Sequence, residues 1–575
     1  MEELIRKAVL LNAVKHKGKA KLEPVIGKVL GESPKLKPLV KELKELASSI
    51  IEEVNAIPFE AQLKLLKENW PEALEEKPKK EGRGLLPLPN VKKYRTVVTR
   101  FSPNPDCVLH LGSIRAIILS HDYARLYGGK FILRFEDTDP RLKRSALTFY
   151  DAIREDLIWL GCRWDEEHVQ SDRLHIYYDN AEKLIAMGGG YVCTCTKDSF
   201  LKAVSIGKPC ACRDLPAEEH LSRWRRMLNG SFKEGEAVVR VKTDLNHPNP
   251  AVRDWPALRI IDPEKHPHPR VGRKYRVWPL YNFACGIDDH LMGITHIIRG
   301  KEHYTNMVRQ KYLYLHFGWE YPEAIHYGRL KVVGAELSKS KILESVSKGL
   351  VRGFDDPRLA TLKSLRRRGI TPECLRALVL EMGPKPADVV LSWENINAIN
   401  RKIVDPIASR YFYVTNPITL VVKGVEGRFS SRIPLHPDHP ERGERTIEVS
   451  PTKNFVELFV SREDLPLLSK HHVVRLMELF NVEVERIEGS RVISKFHSKG
   501  YLEARKLKAP LIHWVLPSRS LDVEVIMPTA EKSVGRGEVA LLQENVGSIV
   551  QLVRFGFARV DEKAETKVTL YYAHD

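Results

Sequence analysis

Residues 96–139 read TVVTRFSPNPDCVLHLGSIRAIILSHDYARLYGGKFILRFEDTD. The first six are apolar or β-branched enough to predict a buried strand. Pro103 and Pro105 then exclude regular structure. From 113 to 127 the apolar residues Ile114, Ile117, Ile118, Ala124 and Leu126 follow helical spacing. Gly128 and Gly129 stop that helix, and KFILRFED supplies a second strand. Strand, tight loop, helix and strand make a βαβ unit, which binds ligands at the carboxyl ends of its strands. The chemistry of the loop lies in HLGS, residues 110–113. Gly112 lets a phosphate approach the backbone, and the helix N-terminus offers free N–H groups and a positive dipole end. His110 adds a donor for charge that grows on a phosphate during displacement. Taken alone, such a loop is also an ordinary turn.

A second segment changes that balance. Residues 336–341, ELSKSK, carry two lysines and two serines in a Gly-flanked stretch, which suits a mobile loop clamping a triphosphate as well as a solvated basic loop. Together the two segments resemble the HIGH and KMSKS signatures of class I aminoacyl-tRNA synthetases. RFSPNPDCVLHLGS, LRFEDTDP, PLYNFACGIDDHLMGITHIIRGKEH and GFDDPRLATLKSLRRRGI resemble blocks of the glutamyl/glutaminyl branch, in the expected order over residues 95–370. Two positions depart from the pattern: Cys107 stands where the family usually has Gly, and Ser113 replaces a His or Asn.

Composition agrees with a soluble, multidomain chain. At 575 residues, with 43% hydrophobic and 29% charged content, about three to five domains are expected. No apolar run is long enough to span a bilayer and MEELIRKAVLL is no secretory signal, so no membrane partner and a cytoplasmic location are expected. A net charge of +18 favours a polyanionic partner without choosing among DNA, RNA and acidic protein. High charge also suits a thermophilic origin.

The expected architecture is a multidomain α/β chain. Residues 1–94 form a helical module ending in the charged, Pro- and Gly-containing linker EEKPKKEGRGLLPLPNVKKY. The resemblance implies a Rossmann-type, nucleotide-binding catalytic domain in two halves, 95–190 and 279–350. Between them, 191–278 is an insertion that holds the acceptor end of tRNA. PLYNFACGIDDHL and GITHIIRG resume the parallel sheet, with AIHYGRLKVVG as its last strand. A helical connector, 351–403, carries Lys363, Arg366, Arg367 and Arg368. From 404 to 575 the pattern alternates at period two in ITLVVKG, RTIEVSP, NFVELFV, APLIHWVL, DVEVIMP, VALLQ and KVTLYYA, predicting β-barrels or sandwiches. By resemblance these are two anticodon-binding barrels.

The resemblance also implies the chemistry. The carboxylate of L-glutamate attacks the α-phosphate of ATP, pyrophosphate leaves, and the terminal ribose of tRNA takes the acyl group. Such transfer needs positioning and charge neutralisation more than a protein nucleophile. His110 and Lys339 are the catalytic candidates. His110, Gly112, Ser113, Ser338, Lys339, Ser340 and Lys341 are the ATP-binding set, with Mg²⁺ on the phosphates. Arg100, Glu136, Tyr281 and Arg299 match the amino-acid pocket, Glu136 for the ammonium and Arg299 for the side-chain carboxylate. Arg299 is Arg in glutamyl enzymes and uncharged in glutaminyl ones, and a guanidinium grips a carboxylate through two hydrogen bonds. Asp288, Asp289, His290 and His303 read as scaffold or positioning groups.

Four of the eight cysteines cluster as Cys193-Thr-Cys195 and Cys210-Ala-Cys212. Four thiolates suit a structural Zn²⁺; reduced thiols, or disulfides in a thermophile, are the competing readings. Cys107, Cys162, Cys285 and Cys374 read as small core residues. The expected activity is thus glutamate attachment to tRNA(Glu), and also to tRNA(Gln) with an amidotransferase to correct the product. The expected oligomeric state is a monomer. A glutamine–tRNA ligase and a non-catalytic tRNA-binding paralogue are the alternatives, disfavoured by Arg299 and by the intact HLGS and LSKSK loops.

Overall fold

The computed structural model describes residues 2–15, 18–32, 36, 39–70, 85–142 and 145–575. The chain divides into two compact units, Met1–Gly84 and Leu85–Asp575. The first contains helices α1 (Glu2–Lys15), α2 (Leu22–Glu32), α3 (Val40–Ala56) and α4 (Phe59–Asn69), as the helical reading expects. Ile5, Val9, Leu43, Ala47 and Leu66 form its core. The buried Gln62 staples it: its Nε2 donates to the carbonyls of Gly18, Val54 and Ile57 at 3.1, 2.8 and 3.1 Å. Of the expected linker, residues up to 84 lie outside the described ones. The rest holds a 3₁₀ turn, Val91–Lys93, and a buried Leu88 whose N–H donates to the Tyr127 hydroxyl.

The second unit opens with the βαβ unit. β1 (Val98–Phe101), α5 (Ile114–Leu126) and β2 (Lys130–Phe135) are followed by α6 (Leu147–Trp159), β3 (Glu166–Val169) and α7 (Leu174–Ala186). The three strands are parallel in the order β1-β2-β3. Gly129 is required where α5 turns into β2, because a Cβ there would lie 1.9 Å from the Val97 carbonyl oxygen. An antiparallel sheet of β4 (Gly190–Cys193), β5 (Val238–Val241), β6 (Pro256–Ile260) and β7 (Val277–Pro279) follows, with α8 (Lys197–Ser205) and α9 (Ala217–Leu228) inside the same segment.

PLYNFACGIDDHL is not a strand: it forms the almost wholly buried helix α10 (Tyr281–Leu291). The parallel arrangement resumes in β8 (His296–Gly300), α11 (Tyr304–Phe317) and β9 (Glu323–Tyr327). Thr295 ties β8 to β1, donating its N–H to the Val98 carbonyl (3.0 Å) and accepting the Val98 N–H on Oγ1 (2.8 Å). AIHYGRLKVVG is also not one strand. It breaks at Gly328, where a Cβ would lie 2.0 Å from the Ala387 carbonyl oxygen. Beyond the break, β10 (Leu330–Val332) leads to α12 (Lys339–Ser347), α13 (Leu362–Arg368), α14 (Pro372–Met382), β11 (Val389–Leu391) and α15 (Trp393–Val404). The connector is thus not purely helical, since β11 pairs in parallel with β10.

The remaining chain is β-rich and barrel-like. One six-stranded sheet runs from Pro417–Lys423 to Leu511–Ile512, and a seven-stranded sheet combines Ser409–Tyr411 and Tyr413–Thr415 with the strands from Ser520–Ile526 onward. VALLQ, expected as a strand, is a 3₁₀ turn at Val539–Gln543, and APLIHWVL pairs only at Leu511–Ile512 and through a Val515–Phe459 bridge. Buried apolar side chains such as Leu541 and Trp514 give these segments a strand-like pattern without ladder partners along their length. No helix among the described residues is long and apolar enough to cross a membrane.

Candidate active site

The carboxyl ends of β1, β2 and β8 open into a cavity of about 360 Å³. Arg100, Leu109, Ser113, Glu136, Tyr281, Arg299 and Lys339 line it, so all four amino-acid-pocket candidates and one catalytic candidate meet there. His110, Gly112, Ser338, Ser340 and Lys341 are not in the lining.

Beneath the cavity lies a buried ionic lattice. The Asp289 carboxylate accepts from Arg100 (Nε, 3.1 Å) and Arg134 (Nη1, 2.8 Å). Arg134 reaches on to Glu136 through Nη2 at 2.9 Å. Asp288 accepts from Gln170, Arg173 and the Tyr177 hydroxyl at 3.1, 2.9 and 2.6 Å. Burial alone would push the Asp289 carboxyl up, but Arg100 and Arg134 reverse that and hold it down at about 2. Asp288 and Asp289 are therefore fully engaged scaffold carboxylates. His290 stacks on Trp319 at 3.7 Å, away from the cavity lining, whereas His303 lines it, with Nδ1 3.1 Å from Asn306 Nδ2.

Arg299 stands apart from this lattice. Only 5% exposed, it has no carboxylate partner among the described residues. Its Nη2 donates to the Tyr321 hydroxyl (3.0 Å) and Gln310 Oε1 (3.2 Å), while Nε and Nη1 have no hydrogen-bond partner. A buried, uncompensated guanidinium is costly unless an anion joins it.

The HLGS loop is held from two sides. The Gly112 N–H donates to His110 Nδ1 at 3.1 Å, so the neutral ring carries its proton on Nε2 and keeps that donor. Gly112 is needed for this fold-back, since a Cβ would lie 2.8 Å from the imidazole. Leu111 N–H donates to the Ala360 carbonyl and Leu362 N–H to the Leu109 carbonyl, joining the loop to the start of α13. Cys107 points away into a small core with Val108, Ala152, Ile342 and Leu359, and burial pushes its thiol up to about 11.

Lys339, the first residue of α12, donates to Asp106 Oδ1 at 2.8 Å and to the Asn104 carbonyl at 3.3 Å. Lys341 turns outward to Glu336 at 2.9 Å, and Ser340 is exposed. Sequence reading singled out neither Asp106, Arg134, Gln310 nor Tyr321. Arg134, a charge inside the apolar run KFILRF, was the one with a visible signal.

Among the cysteines, Cys193, Cys195 and Cys210 place their sulfurs within 4.8 Å of one another. Cys212 lies outside that mutual group, 3.6 Å from Cys195 and accepting from the Thr194 N–H. Zn–S bonds of about 2.3 Å at tetrahedral angles separate sulfurs by about 3.8 Å. The Cys193–Cys210 and Cys195–Cys212 separations, 3.9 and 3.6 Å, fit that edge. The other four cysteines are buried and unbridged.

Burial and the nearby Lys339 charge push His110 down from 6.5 to about 4. Protonation then favours the unfolded chain, so this group's contribution to stability is whole above 6.5 and falls as the pH drops toward 4. The labelled His110 ring should titrate near 4 by NMR; a midpoint at 6.5 contradicts the buried, neutral donor.

The family described as tRNA synthetases class I (E and Q), catalytic domain, matches residues 96–406, and the corresponding anti-codon binding domain matches 408–499. The chain is 52% identical over 579 residues to the glutamate–tRNA ligase of Pyrococcus furiosus, covering 100% of both chains. It is 51% identical to that of Thermococcus kodakarensis, covering 100% of this chain and 99% of the relative. With that of Pyrobaculum calidifontis the identity is 49%, over 97% and 98% of the two. The domain matches over residues 96–406 and 408–499 and the end-to-end match lead to one assignment: the chain belongs to the class I tRNA synthetases of the E and Q branch.

Proposed function

We propose that the protein attaches L-glutamate to tRNA(Glu), and also to tRNA(Gln), through a glutamyl-adenylate made from ATP. The observation that carries the choice of amino acid is the buried Arg299 guanidinium, which lines the cavity with two nitrogens unpartnered and no carboxylate ion-paired to it among the described residues. A glutamate side chain supplies the missing charge; glutamine would leave the cation unpaired, at a cost of several kcal/mol, about the scale of a broken buried pair.

The remaining roles follow from chemistry and position. Glu136 and Tyr281 hold the substrate's ammonium, and Arg100, fixed by Asp289, faces its α-carboxylate. That carboxylate attacks the α-phosphorus of Mg²⁺-bound ATP and displaces pyrophosphate. His110 Nε2–H, with Ser113 in the cavity wall, meets the phosphate oxygens as charge develops there; the Gly112 and Ser113 N–H groups, expected free from the sequence, are instead held inside the loop by His110 Nδ1 and the His110 carbonyl. Ser338, Ser340 and Lys341 complete the clamp around Lys339. A polyphosphate competes with Asp106 for the Lys339 ammonium, which then neutralises the leaving group. The ribose hydroxyl of the tRNA end takes the glutamyl group and AMP leaves.

Cys193, Cys195, Cys210 and Cys212 would hold one Zn²⁺, whose chemistry there is to cross-link strand β4 to the 210–212 turn; four protein ligands leave no open position for catalysis. Acting on tRNA(Gln) calls for a partner amidotransferase, since the glutamyl product must become glutaminyl before translation.

Labelled glutamate, offered with ATP and Mg²⁺, is expected to appear on both tRNA(Glu) and tRNA(Gln) transcripts. Charging of tRNA(Glu) alone removes the dual-substrate reading, and charging of neither removes the function. Elemental analysis of the purified protein should find one zinc per chain, lost in the Cys193→Ser/Cys210→Ser variant. Zinc-free protein with an unchanged melting temperature sinks the zinc assignment.

A further inference from the structure

Resting on the glutamate reading of the cavity, we propose that Gln310 and Tyr321 are positioning residues that set amino-acid selectivity by orienting Arg299 without neutralising it. The three side chains form a closed triangle. Tyr321 donates its hydroxyl proton to Gln310 Oε1 at 2.7 Å, and Arg299 Nη2 donates to both oxygens. The direction of the Tyr321 proton fixes the polarity of the whole set. The amide oxygen takes two donors, and the phenol oxygen presents a lone pair to the guanidinium.

Each member is immobilised from behind. Gln310 is fully buried on α11, which packs against α10 at Gly286, where a Cβ would come 3.0 Å from Leu313. Tyr321 meets Tyr314 edge-on with ring centroids 4.9 Å apart, and Tyr314 in turn donates to the Gly286 carbonyl at 3.0 Å. Arg299 is therefore aimed by two packed neighbours, one fully buried and one braced by Tyr314.

The acceptor type matters as much as the aim. An amide oxygen and a phenol oxygen satisfy one N–H group of a guanidinium while leaving its full positive charge. A carboxylate at either place would satisfy the same N–H and cancel the charge that distinguishes glutamate from glutamine. Every other buried cation on this floor is treated the opposite way: Arg100 and Arg134 each contact Asp289. The neutral pair thus preserves one uncompensated charge at the spot where the substrate's distal group must end.

The test is pyrophosphate exchange by the full chain in the presence of tRNA(Glu), with glutamate or glutamine as the amino acid. Wild-type protein that fails to use glutamate overturns the reading of the cavity itself, independently of Gln310 and Tyr321. With glutamate-dependent exchange established, Gln310→Glu, nearly isosteric, should raise KM for glutamate at least about 30-fold and cut the glutamate-to-glutamine preference at least about tenfold. KM for ATP should not move. Tyr321→Phe, which keeps the ring contact with Tyr314, should raise KM for glutamate about five- to tenfold with a smaller change in kcat. It carries the test alone if Gln310→Glu does not fold. Variants that retain the wild-type preference, or that lose both amino acids and ATP in proportion, overturn the proposal.

Discussion

The site rests on one shared carboxylate. Asp289, from α10, binds Arg100 at the end of β1 and Arg134 in β2, so a single buried anion fixes the three elements that surround the cavity floor. Removing one partner from such a set leaves a buried charge uncompensated and costs about 3–5 kcal/mol. Arg134 extends the lattice to Glu136, and Asp288 next along the helix gathers Arg173, Gln170 and Tyr177. Arg100, Arg134 and Arg173 face Glu136, Asp288 and Asp289, so the cations and anions of the lattice balance. Arg299 is outside that balance among the described residues, and the proposed preference for an anionic side chain rests on its surplus charge.

Around this floor, the nucleotide side is assembled from pieces distant in sequence. The HLGS loop borrows backbone partners from residues 360–362, and Lys339 meets Asp106 across the intervening chain. The Lys339 ammonium, the cation of the proposed clamp, is thus held by the Asp106 carboxylate. Of the two lysines proposed for the clamp, Lys339 lines the cavity and Lys341 turns outward to Glu336. Cys107, the departure from the family pattern in the loop, is accommodated because its side chain turns into apolar packing and leaves the cavity wall untouched.

Much of this was legible in the sequence because local signals and motif order agreed. Strand, proline-bounded loop, helix and double glycine fell where the βαβ unit lies, and the four amino-acid-pocket candidates converge on one cavity. Elements went astray where burial overrode periodicity. The apolar runs at 279–291, 509–516 and 539–543 were strand-like, yet they form a buried helix, a barely paired segment and a 3₁₀ turn. The split at Gly328 depended on a backbone approach from residue 387, which no local pattern encodes. Partners of site residues were hidden for the same reason. Gln310 and Tyr321 matter only through the side chain they meet, and that meeting is made by the packing of α11 on α10.

The most direct test of the charge account replaces Arg299 by Gln and compares glutamate with glutamine in tRNA-dependent pyrophosphate exchange. The account predicts that the variant keeps its fold and its affinity for ATP while the preference for glutamate over glutamine falls at least about a hundredfold. A variant that still prefers glutamate as strongly as the parent would contradict it.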